Sequence, residues 1–96
     1  MSKLVILYTM KGCPFCDMMK DKLNENKIEF HVRDIDQHKD EYDLFVELTE
    51  NEYVPAFMII NEPPEDPNPK LFTPERDFDE IDDGVEIIKK EIGKPQ

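Results

Sequence analysis

The chain has 96 residues, 23 of them acidic and 12 basic, for a formal net charge of −11. That balance repels phosphate backbones and anionic bilayers, which argues against nucleic acids and membrane surfaces as partners. No apolar run approaches the roughly 20 residues of a membrane span. The opening MSKLVILYT lacks the length and cleavage site of a signal peptide, so a soluble, cytoplasmic protein is expected.

Residues 4–9 (LVILYT) form an apolar, β-branched run of strand length. KGCP interrupts it, and Pro14 suits the first turn of a helix, where its missing N–H is no loss. Phe15, Met19 and Leu23 then recur at four-residue spacing with Cys16 on the same side, so an amphipathic helix is predicted to end near residues 24–26. The neighbouring Met18 and Met19 read as core filling. Residues 28–35 (IEFHVRDI) alternate apolar and polar and predict a second strand. Residues 36–50 predict a second helix, with Asp36 as N-cap and Leu44, Phe45 and Leu48 as its apolar stripe.

Residues 54–60 (VPAFMII) predict a third strand that opens with Pro55. NEPPEDPNP follows, with four prolines in nine residues, and reads as a rigid exposed loop. KLFT is a short fourth strand. Phe78, Ile81, Val85, Ile88 and Ile92 share one helical face through residues 77–92. Acids crowd the start of that segment, and Lys89 and Lys90 its end, matching the helix dipole. The order β-α-β-α-β-β-α is an α/β fold. Its first βαβ unit implies a parallel pair, and its last two strands an antiparallel hairpin. A four-stranded mixed sheet flanked by three helices results.

The only two cysteines, Cys13 and Cys16, fall where the first strand meets the first helix. Unpaired N–H groups and the dipole at a helix N-terminus favour an anion there. With Lys11 nearby, Cys13 is expected to be an exposed, readily ionised thiol. Cys16, one turn on, is expected to be more enclosed and to resolve a mixed disulfide. A structural staple is disfavoured, because so short a loop constrains the unfolded chain little. A zinc site would need His31 and His38 at the spacing C-x2-C-x14-H-x6-H, longer in both later gaps than finger modules use. No metal is therefore expected. A CxxC at a strand–helix junction within a βαβ unit points to redox exchange.

Together these segments resemble the glutaredoxins of the thioredoxin superfamily. CPFC is similar to the dithiol C-P-Y-C site, and VPAFMII to the T-V-P segment whose proline is cis, with Tyr53 for Thr. RDFDEI lies where the family has G-G-x-D-D-L, with Arg76 and Asp77 in place of the glycine pair. The resemblance covers nearly the whole chain and implies a single domain over residues 1–96 with a thioredoxin-like fold. It further implies a glutathione-dependent thiol–disulfide oxidoreductase that reduces protein disulfides and glutathione mixed disulfides. Cys13 would be the nucleophile and Cys16 the resolving thiol. Lys11 would meet a glutathione carboxylate, Phe15 line the groove, and Val54, before a cis Pro55, offer its backbone to the glutathione cysteine. Asp79 would take the ammonium end and Phe78 a backbone contact; Arg76, where the chain departs from the family pattern, is expected to meet a carboxylate instead. Glutathione would be the co-substrate of a monomer, with disulfide-containing proteins such as ribonucleotide reductase as partners. Two alternatives stand beside this reading. One is a glutaredoxin-like redoxin reduced by thioredoxin reductase. The other is a [2Fe–2S]-binding glutaredoxin, against which Pro14 argues, since those proteins mostly carry C-G-F-S.

Overall fold

The computed structural model describes residues 2–62 and 69–93. In chain order the elements are β1 (Ser2–Thr9), α1 (Pro14–Glu25), β2 (His31–Asp34), α2 (Lys39–Thr49), β3 (Ala56–Glu62), β4 (Lys70–Phe72) and α3 (Ile81–Ile92). The strands form one sheet in the order β2-β1-β3-β4. β1 runs parallel to β2, with Ile6 opposite His31 and Thr9 opposite Asp34. It runs antiparallel to β3, pairing Leu4 with Ile60 and Tyr8 with Ala56. β3 and β4 are antiparallel, with Phe57 opposite Phe72. This is the α/β order and the mixed sheet that the sequence predicts.

β1 is an inner strand covered on both faces, which is why its apolar run does not alternate. Val5 and Leu7 pack with Met19 and Leu23 of α1, Val85 and Ile88 of α3, and Phe57 and Ile59 of β3. Ile6 and Tyr8 face the other way, onto Tyr42 and Phe45 of α2 and Ala56. The Tyr8 ring lies 4.9 Å from Phe45 and 5.6 Å from Tyr42. Its hydroxyl donates to Glu41 Oε2 at 2.5 Å, and Arg33 pairs with the other oxygen of that carboxylate. The Tyr42 hydroxyl donates to the carbonyl of Glu52 at 2.8 Å. Burial, reinforced by Glu41, pushes the Tyr8 hydroxyl upward; burial and the Glu52 charge push that of Tyr42 up to about 12.

Several boundaries differ from the sequence expectation. Residues 28–30 precede β2 rather than open it. The Ile28 N–H donates to Leu23 O at 3.0 Å, closing the end of α1 while the side chain enters the core. Asp36 does not cap α2: the cap is His38, and the Asp34 carboxylate instead accepts the Asp36 N–H at 2.8 Å. Leu44 and Leu48 are 56% and 64% exposed. The buried stripe of α2 is Tyr42, Phe45 and Thr49, because the helix is rotated to pack its aromatic rings, tilted, against Tyr8. α3 starts at Ile81, not at residue 77, with Glu80 extended at its cap and Asp82 and Asp83 in its first turn. Most of the proline-rich insert lies outside the described residues.

Gly84 sets how closely α3 approaches its neighbours. A Cβ there would lie 2.7 Å from Met19 Cε and 3.2 Å from the Phe78 ring. Phe78 stacks on Phe57, which stacks on Phe72, with ring centroids 5.6 and 5.0 Å apart. No helix among the described residues is long and apolar enough to cross a membrane.

Candidate active site

β1 ends at Thr9, and the turn that follows needs Gly12 at φ 75°, a conformation that side-chain-bearing residues seldom adopt. That turn places Cys13 at the N-cap of α1, with Pro14 as first helical residue. Cys13 Sγ accepts the backbone N–H of Cys16 at 3.1 Å. A sulfur acting as the cap receives one of the helix's unpaired donors, the environment in which a thiolate is favoured once the pair is open. Cys13 and Cys16 are joined as a disulfide with Cα atoms 5.2 Å apart. Cys16 is 1% exposed and Cys13 8%. Cys16 is thus the deeper of the two, as expected, but Cys13 is buried rather than exposed in this state, because its sulfur is turned in toward Cys16.

Beside the motif runs a groove of about 550 Å³. Phe15, Met18 and Lys22 of α1 form one wall, residues 53–55 another, and Pro74, Glu75 and residues 78–82 the third. The Val54–Pro55 peptide is cis, as the resemblance implied. Asn51 joins two of these walls. Its Nδ2 donates to Pro74 O at 2.7 Å, and its Oδ1 accepts the Tyr53 N–H at 2.8 Å.

The third wall is built where the glycine pair was expected. The Asp77 carboxylate accepts the Thr73 N–H at 2.8 Å and the Arg76 Nε at 2.9 Å. Arg76 Nη2 also donates to Leu71 O at 2.6 Å. Arg76 therefore faces back onto β4 and does not line the groove, because Asp77 and a strand-end carbonyl hold its guanidinium. The Asp77 N–H closes the turn onto Thr73 O at 3.0 Å. The left-handed backbone position falls on Glu75, at φ 72°, whose N–H donates to Phe78 O at 2.8 Å.

Of the residues singled out in the sequence, Cys13 and Cys16 are paired, and Phe15, Val54, Pro55, Phe78 and Asp79 share the groove. Lys11 is exposed on the turn before Cys13 and is not part of the lining. Sequence reasoning missed Met18, Lys22, Tyr53, Glu75, Glu80 and Asp82 as lining residues. Met18, read as core, is 44% exposed and faces the groove, while Met19 beside it is fully buried. Among the described residues no three His, Cys, Asp or Glu side chains are grouped to hold a metal ion.

Comparisons with known proteins bear on this geometry. No curated protein matches the chain. Among solved structures, a mutant of a thioredoxin-like protein superposes with a TM-score of 0.50 at 15% identity, covering 62% of this chain and 78% of its own. Maleylacetoacetate isomerase from Anaeromyxobacter dehalogenans, with dicarboxyethyl glutathione and citrate bound in its active site, gives a TM-score of 0.60 at 14% identity. The same enzyme with bound glutathione gives 0.59 at 14% identity. The two cover 98% of this chain, which spans only 39% and 40% of the isomerase chains. At these identities the likeness establishes the thioredoxin-like fold alone. The family model described as Glutaredoxin matches residues 5–62, more than half of the chain and the stretch that carries both cysteines and Pro55. The chain belongs to the glutaredoxin family.

Proposed function

We propose that the protein is a cytoplasmic, monomeric thiol–disulfide oxidoreductase that works through Cys13 and Cys16. The carrying observation is the closed pair at the N-terminus of α1, with Cys13 Sγ as the cap acceptor and a groove alongside. In the reductive direction the Cys13 thiolate attacks one sulfur of a substrate disulfide. The S–S bond breaks, and the departing thiolate takes a proton. Cys16 then attacks Cys13 Sγ, releasing the second substrate thiol and closing the Cys13–Cys16 disulfide. Two electrons pass from the protein to the substrate.

Glutathione is the proposed reductant, and family membership and the glutathione-bound neighbours of this fold support it. One glutathione thiolate opens the pair by forming a mixed disulfide at Cys13, and a second releases glutathione disulfide. Phe15, Val54, Pro55, Phe78 and Asp79 would contact it in the groove, with Lys11 reaching from the turn. Disulfide-bearing proteins such as ribonucleotide reductase are the proposed clients. A second reading is favoured by Arg76, which is held by Asp77 and Leu71 instead of meeting a glutathione carboxylate. In that reading thioredoxin reductase, a protein dithiol, opens the pair.

The test is reduction of hydroxyethyl disulfide coupled to glutathione, glutathione reductase and NADPH. Turnover that is lost in Cys13→Ser supports the proposal. Turnover that survives Cys13→Ser overturns it. Turnover only when thioredoxin reductase replaces glutathione selects the second reading.

A further inference from the structure

Glutathione carries two carboxylates and one ammonium, so a groove that holds it must supply positive charge. Most of the lining does not. Glu75, Asp79, Glu80 and Asp82 form an acidic rim, and Lys22 is the only basic residue of the described lining. The two cations expected from the sequence stand elsewhere. Lys11 lies outside the lining, and Arg76 is held by Asp77 and Leu71. A carboxylate entering the groove therefore meets like charge everywhere except at Lys22.

The placement of Lys22 suits that ligand. Phe15, Met18 and Lys22 follow the i, i+3, i+7 spacing of one helix face, and all three line the groove. From Phe15 to Lys22 the helix rises about 10.5 Å, and an extended tripeptide spans about 10–11 Å. Side chains on a helix lean toward its N-terminus, which for Lys22 is the direction of Cys13. Lys22 Nζ pairs with Asp82 Oδ1 at 2.7 Å. A lysine ammonium has three donors, so this pair leaves others for a ligand. Asp79, three residues before Asp82, takes part in none of the ion pairs among the described residues.

We propose that Lys22 binds the α-carboxylate of the γ-glutamyl residue while Asp79 takes the ammonium on the same carbon. Together they form a two-charge receptor for the free amino-acid end of the thiol. The inference rests on the reading of glutathione as the reductant. Lys22 is a binding residue: it lowers the thiol concentration needed and leaves the attack on Cys13 unchanged.

The experiment uses three thiols: glutathione, 4-aminobutanoyl-cysteinylglycine, which lacks only the α-carboxylate, and glutaryl-cysteinylglycine, which lacks only that ammonium. Each reduces hydroxyethyl disulfide with the protein as catalyst. Two thiols give up two electrons and two protons and join as a disulfide, and two molecules of 2-mercaptoethanol form. The latter are read by chromatography after the uncatalysed rate is subtracted. Each variant is compared with wild type on the same thiol, so intrinsic reactivity cancels. Lys22→Gln should raise KM for glutathione and for the glutaryl thiol about three- to tenfold, with kcat kept within about twofold. It should leave KM for the 4-aminobutanoyl thiol unchanged. Asp82→Asn breaks the same α1–α3 pair but keeps the cation, so KM for glutathione should stay level or fall. Lys39→Gln, the same charge change on α2, should have no effect.

A change under about twofold in Lys22→Gln overturns the inference and leaves the glutathione reading standing. So does an equal rise for the 4-aminobutanoyl thiol, which would remove the α-carboxylate as the partner. An equal rise in Asp82→Asn would assign the effect to helix pairing, and in Lys39→Gln to net charge; either overturns it. No turnover of the wild type with glutathione overturns the glutathione reading and this inference together.

Discussion

Asn51 and Pro74 lie 23 residues apart and are joined by one hydrogen bond of 2.7 Å, from Asn51 Nδ2 to the Pro74 carbonyl. The same side chain receives the Tyr53 N–H through Oδ1. One amide thus holds the segment that leads into Pro55 against the segment that carries the acidic rim. Asn51→Ala should cost about 1–2 kcal/mol of stability, the usual net worth of two partly buried hydrogen bonds. It should also raise KM for disulfides more than it slows alkylation of reduced Cys13. Equal losses in both would assign Asn51 to stability alone.

The cap geometry of Cys13 predicts its reactivity. In the reduced protein, iodoacetamide should modify Cys13 with a midpoint below the ~8.5 of a free thiol, because helix N-terminal donors stabilise the thiolate. Cys16, deeper and one turn on, should react far more slowly. Mass mapping after a pH series reads both. A Cys13 midpoint at or above that of free cysteine would contradict the assignment.

Gly84→Ala sets two effects against each other. Alanine gains about 1 kcal/mol in helix propensity over glycine. The new methyl meets Met19 Cε at 2.7 Å and the Phe78 ring at 3.2 Å, in a region where Met19 is fully buried. Overpacking of that kind costs about 1–3 kcal/mol. The clash should win, giving net destabilisation of about 1 kcal/mol in denaturant melts. Because Phe78 also lines the groove, KM should rise too. A stabilised variant would show that α1 and α3 separate freely.

On α2, the structure separates apolar residues that the sequence had grouped. Phe45→Ala should cost about 3–5 kcal/mol, as for a buried aromatic. Leu44→Glu and Leu48→Glu should each stay within about 0.5 kcal/mol, since both side chains are exposed. A large loss in either leucine variant would mean that the exposed face has a partner in solution.

Alkaline pH should weaken the fold. Both buried tyrosines hold their protons more tightly folded than unfolded, Tyr42 up to about 12 against an ordinary 10.0. Below pH 10 both states keep the proton, and the contribution is fully present. Above it the unfolded chain loses protons that the native state keeps, so stability falls as pH rises from about 10 toward 12. Thermal melts across that window should show the decline, and Tyr42→Phe should shallow it. A flat profile would refute the burial argument.

What the sequence revealed was whatever a single segment encodes. The buried run of β1, the four-residue spacing of Phe15, Met19 and Leu23, and the position of the cysteine pair all depend on neighbours in the chain. The errors arose where distant segments decide. Leu44 and Leu48 have the right chemistry and spacing for a core, but the Tyr8 ring rotates α2 toward Tyr42 and Phe45. Acids suit a helix start, so the sequence predicts α3 from residue 77, yet Asp77 is engaged in a turn with Thr73 and Arg76. Arg76 looked available to a ligand because nothing local shows that Leu71 O lies within its reach. Tyr53, Glu75 and Glu80 became groove residues only once three separate segments met.

The position of β1 between β2 and β3 has a consequence for how such a protein can diverge. The cysteine turn is anchored to a strand bonded along both edges, so its geometry tolerates little change. The rim hangs from β4, a three-residue strand at the border of the sheet. Substitutions there disturb few backbone bonds. Under the proposed function, the reacting sulfurs thus sit at the centre of the scaffold, while one wall of the groove beside them hangs from its margin and can change without moving them.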